Sequence, residues 1–251
     1  MKNTKILKVF EQFIKKFDMN KGNVKAMYFH SIKMMELCKE IASTLGVFTE
    51  EEISVCGLIG LFHDIGSFSN KVKNGLTLED NTDKSKESIE ILFETDKLLR
   101  SITDDTKYDD IIKIAIYCLN KNGLPKGFDK KVLYFCMVVK DAHVIENFRM
   151  VTNYPYMDMN IDNLPNALVY NDFKQYKVVN SKVSDNDADK ILEVMSLVFG
   201  VHYLYSYKLL KEEECVNKLI NALKINDKDI RMFFTQIANV LNFFIDKKIG
   251  V

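Results

Sequence analysis

Apolar residues recur three and four positions apart along most of the chain, the spacing that turns one face of an α-helix toward a core. A first helix is predicted at about 4–17. A second runs from about 22 to 45, with Met27, Met34, Cys38, Ile41 and Leu45 on one stripe. In "TEEE" (49–52), Thr49 stands three residues before Glu52, a capping box that starts a third helix. That helix is predicted to end near Asp64, with Gly66 in the left-handed conformation that closes many helices. A loop across 67–80, helices at about 82–95 and 108–119, and a turn at 120–127 follow. The stretch "DKKVLYFCMVVKDAHVIENF" (129–148) is apolar all round in its middle, which predicts a central helix.

Residues 150–182 are rich in Asn, Asp and Tyr and contain two prolines, so they are predicted to be irregular or to hold a small hairpin. Beyond them, Ile191, Met195, Val198, Val201 and Tyr205 mark one helix, and Ile230, Phe233, Ile237, Val240 and Phe244 mark another. A short helix near 212–223 is expected between the two. Only three prolines and ten glycines interrupt the pattern. No repeat, linker or low-complexity tract divides it, so the expectation is one all-α domain.

Charge narrows the partners. Lysine plus arginine and aspartate plus glutamate both number 35, so net charge favours neither a DNA or RNA duplex nor an anionic membrane. The longest apolar runs, such as "VCGLIGLF" (55–62), are too short to span a bilayer. The opening "MKNTKILKVFEQFIKKF" has charges every few residues and reads as an amphipathic helix, not a signal sequence. The five cysteines form no CxxC pair. Within apolar runs they act as small hydrophobes, which suits a reducing, cytoplasmic location.

Four histidines are present, and two lie on inward faces. His30 is three residues after Met27 and four before Met34. His63 is three after Gly60 and seven after Cys56, and it is followed directly by Asp64 at a helix end where negative charge is disfavoured. Gly57 and Gly60 share this face and allow a neighbouring backbone to come close. Asp141, on a stripe with Tyr134, Met137 and Ile145, is an expensive carboxylate unless paired or bound to metal.

Singly, each has an ordinary explanation. His30 and His63 can be hydrogen-bonded core histidines, Asp64 can bond a backbone amide, and Asp141 can pair with a lysine. Together, two imidazoles and two carboxylates from three helices make a nitrogen–oxygen set for a divalent transition metal.

The order His30, then His63-Asp64, then Asp141 resembles the HD superfamily of metal-dependent phosphohydrolases. The surroundings "YFHSIKMMELCKEIA" (28–42), "GLIGLFHDIGSF" (57–68), "SIEILF" (88–93) and "VVKDAHVIENFRM" (138–150) match as well. The chain is especially similar to bacterial HD proteins with a C-terminal helical extension, which "FGVHYLYSYKLLKEEECVNKL" (199–219) matches. The resemblance implies one HD-type domain over 1–251, its core at about 20–150 and its extension at about 183–251. It further implies a helical bundle with one divalent ion held by His30, His63, Asp64 and Asp141. Manganese, iron, nickel, zinc and magnesium all suit such a set. Asp64 would orient the attacking water, and the substrate would be a phosphomonoester or a nucleotide.

The pattern also departs from the family. Lys84 and Leu119 stand where many relatives have further histidines, and Ser67 stands where an arginine is common. His143 and Val144 replace an acidic-lysine pair. Leucine cannot bind a second ion. Lys84 can either hold a phosphate as a point charge or remain a solvated lysine. His143, about 160° round the helix from Asp141, is placed behind the site or at the surface, and His202 is expected to pack in the extension. The alternative reading is a catalytically impaired HD-fold protein that binds metal or a nucleotide as a sensor or interaction scaffold.

Overall fold

The computed structural model describes residues 3–68, 84–119, 121, 123–153 and 161–250. Among these the chain forms twelve α-helices and no β-strand, the all-α architecture that the periodicity predicts. Contacts group the residues into two compact units, Met1–Ala142 and His143–Val251. The first contains α1 (Asn3–Ile14), α2 (Gly22–Thr44), α3 (Glu50–Phe62), α4 (Lys84–Phe93), α5 (Leu98–Ile102) and α6 (Asp109–Leu119). The boundary falls inside α7 (Lys130–Asn153). The second unit contains α8 (Ala167–Lys174), α9 (Asp187–Ser196), α10 (Leu204–Glu212), α11 (Cys215–Ala222) and α12 (Lys228–Ile249).

In the N-terminal unit α2 packs along α3. Gly60 makes the approach possible, because a Cβ there would lie 2.6 Å from the Met34 carbonyl oxygen and 2.8 Å from Cys38 Sγ. Met34, Cys38, Ile41, Leu58, Ile59 and Phe62 are fully buried around this contact. Phe10 of α1 meets Phe62 edge-on at 5.7 Å, and Phe135 of α7 meets Phe48 edge-on at 4.9 Å.

The capping box forms as predicted. Thr49 N–H donates to Glu52 Oε2 at 2.8 Å, and Glu52 N–H donates to Thr49 Oγ1 at 3.3 Å. Lys131 Nζ donates to the same carboxylate at 2.9 Å. Burial pushes the Glu52 carboxyl up, but the Thr49 N–H and the Lys131 ammonium outweigh it and hold the carboxyl below its ordinary range. A lowered folded value means that the contribution is full above the unfolded carboxylate range and fades as pH falls through the folded value. Glu52→Gln is therefore expected to cost about 1 kcal/mol at pH 7, chiefly through lost charge on the Lys131 bond. Urea unfolding at neutral and acid pH should show that deficit shrinking in acid.

In the C-terminal unit, fully buried Asp189 accepts from Asn166 N–H at 2.7 Å, Asn166 Nδ2 at 2.8 Å and Asp185 N–H at 2.9 Å. These donors compensate its burial and tie the start of α8 to α9. Arg149 Nε donates to Glu213 Oε2 at 2.9 Å, the second arm of a two-pronged pair. No helix among the described residues is long and apolar enough to cross a membrane.

Several expectations change. Gly66 is not among the residues with positive φ; its role is close approach, since a Cβ would lie 2.9 Å from Glu87 Cβ where α4 docks on the turn. The helix expected through Ile191–Tyr205 breaks into α9, a 3₁₀ turn (Leu197–Gly200) and α10. Tyr207 Oη donates to the Val201 carbonyl at 2.9 Å, satisfying a group that the break releases. His202, in that break, is exposed.

On α12 the buried face is Ile230, Phe234, Ile237, Leu241 and Ile245, while Val240 is exposed. Adjacent pairs such as Phe233-Phe234 and Val240-Leu241 make two neighbouring stripes apolar, so periodicity fits either. In place of a hairpin, the described part of 150–182 holds the end of α7, α8 and a 3₁₀ turn (Ser181–Val183). Asn166 caps α8 by accepting from Leu168 N–H and Val169 N–H. The short α5 carries too few residues to show a period. The expected loop beyond Phe68, the start of the 82–95 helix and residues 154–160 lie outside the described residues.

Candidate metal centre

The α2–α3 contact sets the geometry of the two inward histidines. Met34 lies four residues after His30, and Gly60 three before His63, so the closest backbone approach sits one turn from both rings. His30 and His63 are buried, with Nε2 atoms 3.3 Å apart and ring centroids 5.2 Å apart. His63 Nδ1 lies 2.7 Å from the Gly60 carbonyl oxygen. A carbonyl only accepts, so Nδ1 carries the proton and, in the neutral ring, Nε2 presents its lone pair toward His30. Such a backbone bond is the usual way a metal-ligating imidazole is oriented. The separation also fits: two nitrogens 3.3 Å apart, each about 2.1 Å from one ion, subtend about 100° there.

The carboxylates are placed differently. α3 ends at Phe62, His63 is its C-cap, and Asp64 is half-buried in the following turn. The Ser67 hydroxyl donates to Asp64 Oδ1. Ser67 thus holds the carboxylate of the pair from within the same turn, a partnership visible in sequence as a serine three residues after an aspartate. Asp141 is fully buried in α7. Among the described residues, no three or more His, Cys, Asp or Glu side chains gather into a group able to hold a metal ion. The structure brings His30 and His63 together, and Asp64 and Asp141 do not join them in such a group.

The other predicted positions fall on α4, α6 and α7. Lys84 is the half-exposed first residue of α4, and half-buried Leu119 ends α6. Buried Ser88 of the same α4 accepts from Gly66 N–H at 3.1 Å, fixing that helix to the turn after Asp64. His143 is half-exposed, its Nδ1 accepting from Asn147 Nδ2 at 3.3 Å. Val144 is buried. Sequence reasoning missed the Gly60 carbonyl as the group that orients His63, since a backbone acceptor leaves no trace in residue type.

Residues 27–142 match the family model of the HD domain. No curated protein and no solved structure matches the chain. The matched span begins just before His30, ends just after Asp141 and lies within the N-terminal unit. The paired imidazoles at the α2–α3 contact thus lie inside the segment, residues 27–142, that is similar to the HD domain.

Proposed function

We propose that the chain is a metal-dependent phosphohydrolase that acts on a phosphomonoester or nucleotide through one divalent ion. The observation that carries this reading is the facing pair of Nε2 atoms, 3.3 Å apart, with His63 oriented by the Gly60 carbonyl. His30, His63, Asp64 and Asp141 are the residues that would hold the ion. When bound, a divalent ion polarises a phosphoryl oxygen and makes water a better nucleophile near neutral pH.

The chain's own groups do the rest. The Gly60 carbonyl keeps the His63 proton on Nδ1, so Nε2 is available as a donor atom to a cation. Ser67 steadies the Asp64 carboxylate, whose role is to orient the attacking water and accept its proton. The Lys84 ammonium holds the charge of the departing phosphate. Buried Asp141 supplies negative charge that a cation compensates. Five buried free cysteines fit a cytoplasmic location.

The second reading is an HD-fold protein that binds metal or a nucleotide without turnover. It draws on Leu119 at the end of α6, which cannot ligate, and on the lack, among the described residues, of a group of three or more His, Cys, Asp or Glu able to hold a metal ion. Phosphate release from a panel of nucleotides and sugar phosphates separates the two, with manganese, magnesium, nickel, iron or zinc supplied. The enzyme reading expects release with at least one metal and a loss of about a hundredfold or more in Asp64→Asn. A protein filled with metal that releases no phosphate under any condition supports the binder.

A further inference from the structure

Helix α12 carries a second apolar stripe beside the one it buries. Phe234 and Leu241 are fully buried, yet Val240 is 40% exposed and Phe243 is 71% exposed. Phe233 is half-buried, and Tyr170 of α8 meets its ring edge-on at 5.2 Å. Apolar residues scattered singly over a surface need no explanation, whereas a row along one helix face does.

The row has a regular period. Asp229, Phe233, Gln236, Val240, Phe243 and Lys247 follow one another at steps of four, three, four, three and four residues. That alternation is the 3.5-residue repeat of a coiled-coil seam, which keeps one face against a partner helix over several turns. Every member except Phe233 is exposed. The row is closed by an acid at its N-terminal end and a base at its C-terminal end.

These end charges select both the partner and its direction. Consider two copies of α12 lying antiparallel about a two-fold axis at the level of Ala238. Asp229 then faces Lys247, Phe233 faces Phe243 and Gln236 faces Val240, each pair occurring twice. A parallel arrangement sets Asp229 against Asp229 and Lys247 against Lys247, which repel. A slip of one heptad sets Asp229 against Val240, or Lys247 against Gln236, and parts the phenylalanines. The stripe is therefore complementary to itself in one register, as an isologous contact requires. Gln236 weakens the middle of the seam and helps to fix that register.

We propose that the exposed face of α12 is the docking surface for a second copy of this chain. The two helices pair antiparallel, anchored by Phe233 and Phe243, with an Asp229–Lys247 ion pair at each end. A single pair of helices covers less area than an obligate interface, so the dimer forms reversibly as concentration rises.

Sedimentation velocity of the full chain across a series of concentrations tests this. The apparent mass should climb from one chain toward two. Phe243→Glu alters an exposed position, so Tm in dilute solution should hold while association weakens about a hundredfold. Lys247→Glu places like charges opposite each other at both ends and should weaken association about tenfold. Adding Asp229→Lys to that variant reverses both pairs and should restore the wild-type association. A parallel dimer would gain nothing from this exchange, and the exchange does not depend on Phe243→Glu folding. A chain that stays monomeric at every concentration overturns the proposal and leaves the stripe to a different protein. A dimer that survives Phe243→Glu, or that the double exchange fails to restore, overturns it as well.

Discussion

Alanine at Gly60 should destabilise the N-terminal unit by about 2–4 kcal/mol, the range for overpacking a rigid contact. Its Cβ would lie 2.6 Å from the Met34 carbonyl oxygen, a backbone atom that cannot swing aside. Helix α2 must then retreat from α3. His30 lies one turn before Met34 and His63 one turn after Gly60, so the retreat opens the 3.3 Å nitrogen pair. Gly57→Ala is the matched control. Its Cβ would meet the flexible stem of Lys39, which can move, and alanine recovers up to about 1 kcal/mol of helix propensity. Urea unfolding should therefore separate the two variants widely. Equal costs would show that the α2–α3 contact does not depend on the missing side chain at Gly60.

The second large effect is stabilisation by metal. At one hundred times its dissociation constant, a divalent ion that binds only the folded chain should add about 2.7 kcal/mol. For a chain of this size that is a rise in Tm of roughly 5–10 °C. His30→Ala and His63→Ala should remove the rise, because each deletes one of the two facing nitrogens. Lys84→Ala should keep it, since Lys84 is assigned to phosphate, and should slow phosphate release about tenfold or more. Loss of the rise in Lys84→Ala, or its survival in both histidine variants, would reassign the site.

The helical framework was legible because burial on one face leaves a regular trace. The stripe Met27–Ile41, the Thr49–Glu52 box and the apolar middle of α7 all reappear as buried or capped residues. The inward placement of His30 and His63 followed from the same spacing. Where two stripes are equally apolar, as on α12, the pattern cannot choose, and the burying face lies one position away from the expected one. Gly66 shows another limit. A glycine after a helix reads as a left-handed cap, but here the need is room for Glu87 and Ser88 of α4, a contact set by tertiary packing.

The chemistry was legible to a lesser degree. Residue type and order identify the two imidazoles and the two carboxylates, and the fold brings the imidazoles together. The directions of Asp64 and Asp141 depend on side-chain torsions and partners such as Ser67, which spacing does not encode.

The proposed function requires that His30, His63, Asp64 and Asp141 share one divalent ion. Metal content by atomic emission tests this most directly, after equilibration with manganese and desalting, in the wild-type chain and in each alanine variant of those four residues. One ion per wild-type chain and a clear loss in every variant are expected. Variants that retain as much metal as the wild type would contradict the shared site.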